Sequence, residues 1–174
     1  QPLADHLTCV AELTRCFAGG FGANGWGHLA GLWHDLGKYS TEFQQYLIST
    51  GDADAHIEAK AGRVDHSTAG AQHAVEESKN GGKLLAYTIA GHHAGLLNGK
   101  DNDRSCLAAR LEKIIPSCND CPGSILHTKI PERLPFSLDK KRFCFQIAFF
   151  IRMLYSCLVD ADFLDTERFI DEEK

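Results

Sequence analysis

Residues 140–167, KKRFCFQIAFFIRMLYSCLVDADFLDTE, decide the fold class. They form one apolar run with no glycine or proline to break it, and they read as the longest helix of the chain and the central one. Gln146 and Arg152 interrupt the run, so it falls short of a clean membrane span. Asp160 and Asp162 are among the carboxylates of its second half.

Helical signals also dominate on either side of this stretch. In DHLTCVAELTRCF, Leu7, Val10, Leu13 and Phe17 share one face, and Gly19-Gly20 is expected to end the helix. Asn24 is expected to cap GWGHLAGLWHDLG, with Gly37 as its left-handed stop. Ser40 is expected to cap TEFQQYLIS, and residues 51–65, which lack apolar periodicity, read as loop. HSTAGAQHAVEES reads as a helix stopped near Gly81-Gly82, and KLLAYTIAGHHAG as an apolar helix with two histidines at its C-terminal end. Residues 96–103 read as polar loop, and RSCLAARLEKII as a short helix before Pro116. The stretch 117–138 holds Pro122, Pro131 and Pro135 and reads as irregular. No strand pattern, repeat or low-complexity tract is present. The expectation is one all-α domain over residues 1–174 with short connections.

Composition narrows the function. The chain has 174 residues, 44% hydrophobic and 24% charged, which is globular rather than disordered. Its formal net charge is -5, whereas a domain that grips nucleic acid unaided is usually basic. Either nucleic acid is not the partner, or another domain supplies the positive track. The 7 cysteines are odd in number and have no framework spacing, which favours reduced thiols in a cytosol. Cys118 and Cys121 form one CxxC without a second pair, so they read as loop thiols, with a weak zinc site as the minority alternative. The chain begins with Gln1 and its only methionine is Met153, which suggests a processed product or a piece of something longer.

The histidines carry the chemistry. There are 9, and several are paired with an acid or with each other: Asp5-His6, His34-Asp35, Asp65-His66 and His92-His93. Burying such groups without a partner costs a few kcal/mol or more, so hydrogen bonds, solvent or a metal must satisfy them. Adjacent helical residues point about 100° apart. A neighbouring pair in mid-helix therefore cannot easily chelate one ion, but it can serve two ions, or one with the aspartate bridging. Weighed singly, each pair has a plainer reading. Asp5, Asp65 and Ser67 are natural helix caps, and His28, His56, His73 and His127 read as surface or hydrogen-bonded core residues. Taken together on apolar-flanked helices, the pairs exceed surface decoration.

The ordered set HDLGK, FQQYL, DHSTAGA, GHHAGLLNG and RMLYSCLVDADFLDTE resembles the HD nuclease domain of the CRISPR-associated Cas3 proteins. The resemblance runs over most of the chain, and GHHAG separates it from general HD phosphohydrolases. It implies an all-α HD-superfamily helical domain. It also implies His6, His34, Asp35, His66, His92 and His93 as metal ligands, with Lys38 beside the site to contact phosphate or hydroxide. For the last carboxylate it favours Asp162, with Asp160 second, and leaves Asp165 to the helix end. One ion would take His6, His34, Asp35 and Asp162, and the other Asp35, His66, His92 and His93, with Asp35 bridging.

Two divalent ions suit phosphodiester hydrolysis. An imidazole-rich set suits Mn²⁺, Ni²⁺, Co²⁺ or Fe²⁺ better than Mg²⁺. The resemblance implies single-stranded DNA as substrate in type I CRISPR interference, a cytoplasmic setting, and two partners: a Cas3 helicase domain or subunit and the surveillance complex Cascade. It implies no membrane. Lys38, Lys60, Arg63, Lys100 and Arg104 lie in or beside expected loops and are candidates for a basic groove, or are simply solvated. The alternatives are an HD phosphohydrolase acting on nucleotides or cyclic nucleotides, and an inactive metal-binding docking subunit.

Overall fold

A computed structural model describes residues 1–50, 65–101 and 106–172. The described chain is helical, without a strand: α1 (Leu3–Gly19), α2 (Asn24–Trp33), a 3-10 turn (Leu36–Tyr39), α3 (Thr41–Thr50), α4 (Ser67–Glu77), α5 (Gly81–Gly91), α6 (Leu107–Leu111), α7 (Gly123–Leu126) and α8 (Phe143–Glu172). Most of the expected loop at 51–65, with His56, Lys60 and Arg63, lies outside the described residues, as does Arg104.

Two antiparallel helix pairs and one long helix make the frame. α1 and α2 form a hairpin whose glycines let the backbones approach closely. A Cβ on Gly31 would collide with Ala11, and one on Gly27 with the Thr14 carbonyl. α4 and α5 pair in the same way, with Gly82 pressed on the Ala74 carbonyl and Gly70 on that of Trp33. α8 packs against α1, α2 and α5 through one stripe, Phe150, Leu154, Leu158, Ala161 and Asp165, spaced three to four residues apart. Leu154 and Leu158 are fully buried, and each such side chain contributes roughly 1.5–3 kcal/mol. The long connection from α6 to α8 is largely irregular. It is strapped to the core through the two tryptophans: Trp33 Nε1 donates to the Ile125 carbonyl at 2.8 Å and Trp26 Nε1 to that of Arg133 at 3.2 Å.

Several local expectations are corrected. Asn24 is not an N-cap: its amide donates to the Arg15 carbonyl at 3.4 Å and ties α2 back to α1. Gly37 is not left-handed, since among the described glycines only Gly22 and Gly95 have positive φ, and it sits inside the 3-10 turn. Gly81-Gly82 does not stop α4, which ends at Glu77; it opens α5, where bare glycine backbone fits against α4. Ser40 does cap α3, accepting from the Phe43 amide at 3.3 Å. Asp65 caps α4, accepting from the Thr68 amide at 3.1 Å.

Candidate metal centre

The chain leaves helical geometry where the site needs it to. α2 ends at Trp33, His34 caps it, and Asp35 (φ -115°, ψ 23°) turns the backbone into the 3-10 turn. His34 and Asp35 therefore face one cavity, although residues in mid-helix would diverge. The ligand atoms of His6, His34 and Asp35 lie within 4.8 Å of one another. Gly37 then donates its amide to the His66 carbonyl at 3.1 Å, and a Cβ there would collide with the same oxygen. This contact sets the start of α4, and with it His66, against the turn that carries Asp35. α5 ends at Gly91, so His92 and His93 sit on its loosened end and reach the cavity together.

Asp35 is the hub. Its Oδ1 lies 3.3 Å from His66 Nε2 and 3.5 Å from His92 Nε2. Its Oδ2 lies 2.5 Å from Lys38 Nζ, 3.3 Å from His34 Nε2 and 3.7 Å from His6 Nε2. Asp162 brings its Oδ1 to 3.4 Å from His6 Nε2 and 3.6 Å from His34 Nε2. Three clusters could hold an ion: Asp35, His66, His92 and His93; His6, His34 and Asp35; and His34, His92 and Asp162. Asp160 lies on the exposed face of α8. His93 and Asp162 are half-buried and mark the side on which the cavity meets solvent.

The outer nitrogens are tied down so that the inner ones point at the cavity. His34 Nδ1 donates to the Gly31 carbonyl at 2.7 Å, His92 Nδ1 to that of Ile89 at 2.6 Å, and His6 Nδ1 to Asp165 Oδ2 at 2.8 Å. Each bond fixes a proton on the outer nitrogen and turns Nε2 toward the cavity, where it can serve as a ligand once any proton it carries is displaced. Buried and without a hydrogen bond are His6 Nε2, His34 Nε2, His92 Nε2, His93 Nε2 and Asp35 Oδ1. Orphaned polar atoms at this density are costly in a folded core. The nitrogen–oxygen separations of 3.3–3.7 Å across the cluster are close to those of donors sharing an ion at about 2.1 Å. The residues fit a divalent metal.

Among the protein groups alone, charge is strongly rearranged. Burial opposes a charged His6, but the carboxylates of Asp162 and Asp35 outweigh it and hold this imidazole up at about 9. His34 is likewise raised to about 10, against burial, by Asp35 and Asp162. Burial and the neighbouring His92 press His93 down to about 3. Asp35 stays well below the usual carboxylate range despite its burial, because Lys38, His34 and His66 surround it. Asp162 is depressed for the same kind of reason, by His34 and His6.

Asp165 is the residue that sequence reasoning missed. It does not merely belong to the helix end: it is 3% exposed and bonded to His6. The signal was the apolar stripe of α8, on which Asp165 stands one turn beyond Ala161. Of the other histidines, His73 Nε2 donates to the Leu126 carbonyl at 3.1 Å and the ring packs edge-on against Trp33, and His28 lies 3.4 Å from Glu12. The cysteines of the described residues are free thiols. Cys121 is buried and pushed up to about 11 by burial, and no metal-holding cluster among the described residues includes it or Cys118. Lys100 is exposed.

An all-α frame that closes around a buried, histidine-rich centre hinged on a His-Asp pair defines an HD-type metal-binding domain. The family model described as "Cas3, HD domain" matches residues 4–123, well over half of the chain, and the chain belongs to that family. No curated protein matches the sequence. HD domains bind divalent metals, and the family is one of metal-dependent nucleases. The matched residues carry every candidate ligand except Asp162, which rests on the sequence resemblance and its place in the cavity; Asp165 enters on geometry alone. No described helix is long and apolar enough to cross a membrane.

Proposed function

We propose that this domain hydrolyses phosphodiester bonds of single-stranded DNA in type I CRISPR interference. It would do so in the cytoplasm, with two divalent transition-metal ions and with a Cas3 helicase domain or subunit and the surveillance complex as partners. The observation that carries the reading is the division of Asp35: one carboxylate oxygen faces His66 and His92, the other His6, His34 and Lys38. One ion would be held by His6, His34, Asp35 and Asp162, the other by Asp35, His66, His92 and His93, with Asp35 bridging. Imidazole-rich donors favour Mn²⁺, Ni²⁺, Co²⁺ or Fe²⁺ over Mg²⁺.

Bound ions would supply the Lewis acidity that activates water near neutral pH and offsets phosphate charge. The chain does the rest. Asp35 is held ionised by the charges around it, so it is available as a ligand without first losing a proton. Nδ1–H bonds orient His6, His34 and His92 before any ion arrives. Lys38, 8% exposed, places a cation at the rim of the cavity, where it would meet a phosphate oxygen. The half-buried His93 and Asp162 leave one side open to a flexible strand. The acidic surface suits a strand delivered by a partner.

The test is to strip the protein with chelator and add back single ions with linear single-stranded DNA, circular single-stranded DNA, blunt duplex or mononucleotides. Cutting of both single-stranded forms with Mn²⁺, Ni²⁺, Co²⁺ or Fe²⁺, weaker cutting with Mg²⁺, and its loss in Asp35→Ala are expected. Hydrolysis of mononucleotides alone would make the protein a nucleotide phosphohydrolase. Metal uptake without any hydrolysis would make it a docking subunit.

A further inference from the structure

We infer that Asp165 is a positioning residue for the metal centre, acting through His6, and that α8 grips this imidazole at both nitrogens. Asp162 and Asp165 stand three residues apart on α8, on neighbouring positions of one helix face. Asp162 Oδ1 lies 3.4 Å from His6 Nε2 on the cavity side, and Asp165 Oδ2 lies 2.8 Å from His6 Nδ1 on the far side. The inference rests on the reading of His6 as a ligand.

Three observations single Asp165 out. It is 3% exposed, a burial that carboxylates adopt only when paired. Among the described Nδ1 acceptors of His6, His34 and His92 it is the carboxylate, since His34 and His92 donate to backbone carbonyls. Finally, His6 is the only candidate ligand on α1, a helix with no other side chain in the centre. A backbone acceptor fixes a tautomer; a charged acceptor also draws the Nδ1 proton toward itself and makes Nε2 a stronger donor to a cation. Asp165 therefore strengthens the ligand that joins α1 to α8, and it favours the ion held by His6 over the one held by His66 and His93. Thr8 and Cys9 lie on the same turn of α1, and Cys9 faces Asp165 from the exposed side without displacing the His6 bond.

The experiment reads metal binding and ring protonation rather than cutting. Long-range ¹⁵N–¹H correlation spectra of the zinc-loaded wild-type protein should show His6 protonated at Nδ1 and not at Nε2. Mn²⁺ titration of metal-free Asp165→Ala should weaken one binding step by about 10–100-fold. Asp165→Asn keeps a neutral acceptor of the same shape, so it should retain the tautomer and recover part of the affinity. Glu167→Ala, an exposed change on the same helix, should match wild type. Unchanged Mn²⁺ affinity in Asp165→Ala, equal weakening of both steps, or a His6 ring protonated at Nε2 would each overturn the assignment. If Asp165→Ala does not fold, the wild-type spectrum and the Asn variant still decide. Failure of the wild-type protein to cut DNA would overturn the proposed activity and leave these readouts intact.

Discussion

Protons and metal ions compete for the same nitrogens at His6 and His34. These side chains titrate at about 9 and about 10 in the folded protein, against about 6.5 unfolded. Both folded values are raised, so their ion pairs stabilise the metal-free fold fully below about pH 6.5, and that contribution is lost as pH rises through 9 to 10. Asp35 and Asp162 are depressed, so their share is present above about pH 4 and is lost as pH falls. An ion must displace the imidazole protons. Binding at neutral pH is therefore expected to release about two protons, one from each ring, and to tighten with rising pH. Calorimetric titration in buffers of different ionisation heat counts them, and a count near zero would contradict the assignment. At this scale the sequence was legible where residues came as neighbours. His34-Asp35 and His92-His93 declare themselves by adjacency, and the structure brings both pairs to one cavity. Asp165 did not declare itself, because its partner lies 159 residues away and nothing local distinguishes it from a solvated helix-end acid.

Among the secondary-structure elements, close backbone contact positions the ligands. Gly70 lets α4 touch the Trp33 carbonyl, one residue before His34, and a Cβ there would meet that oxygen far inside van der Waals contact. Neither backbone can yield without moving the centre. Gly70→Ala is expected to cost about 3 kcal/mol or more. Gly95→Ala should cost about 1–2 kcal/mol, because it has open space and only its positive φ of 87° to oppose it. Urea unfolding of the two variants compares them, and a smaller loss for Gly70→Ala than for Gly95→Ala would refute the packing account. Glycines were the hardest residues to read from sequence, since a turn glycine and a packing glycine look alike. Gly37 and Gly81-Gly82 were expected to end helices, but they serve close approach at the 3-10 turn and at the start of α5. The helices themselves were legible, because their apolar periodicity follows from the faces they bury, as on α8.

Across the whole molecule, the candidate ligands come from α1, the end of α2, the turn after it, the start of α4, the end of α5 and the second half of α8. Ions bound there would join helices that otherwise meet mainly through apolar packing and a few hydrogen bonds, such as His6 to Asp165. Such ions bind the folded chain and not the unfolded one, so they should add about 2.7 kcal/mol at a free concentration 100 times Kd. Thermal unfolding before and after chelation is expected to show a lower Tm for the stripped protein, restored by Mn²⁺. An unchanged Tm would mean that the cluster holds no ion. The all-α class and the irregular character of the connection before α8 were legible, whereas the place of that connection was not, because it is set by the distant tryptophans Trp26 and Trp33. The His6–Asp165 bond spans 159 positions, and a ribosome adding about 5–20 residues per second needs roughly 8–30 s to travel between them. For that interval the nascent chain carries the His34-Asp35 pair without the helix that completes its surroundings, so the centre cannot close until α8 has been translated.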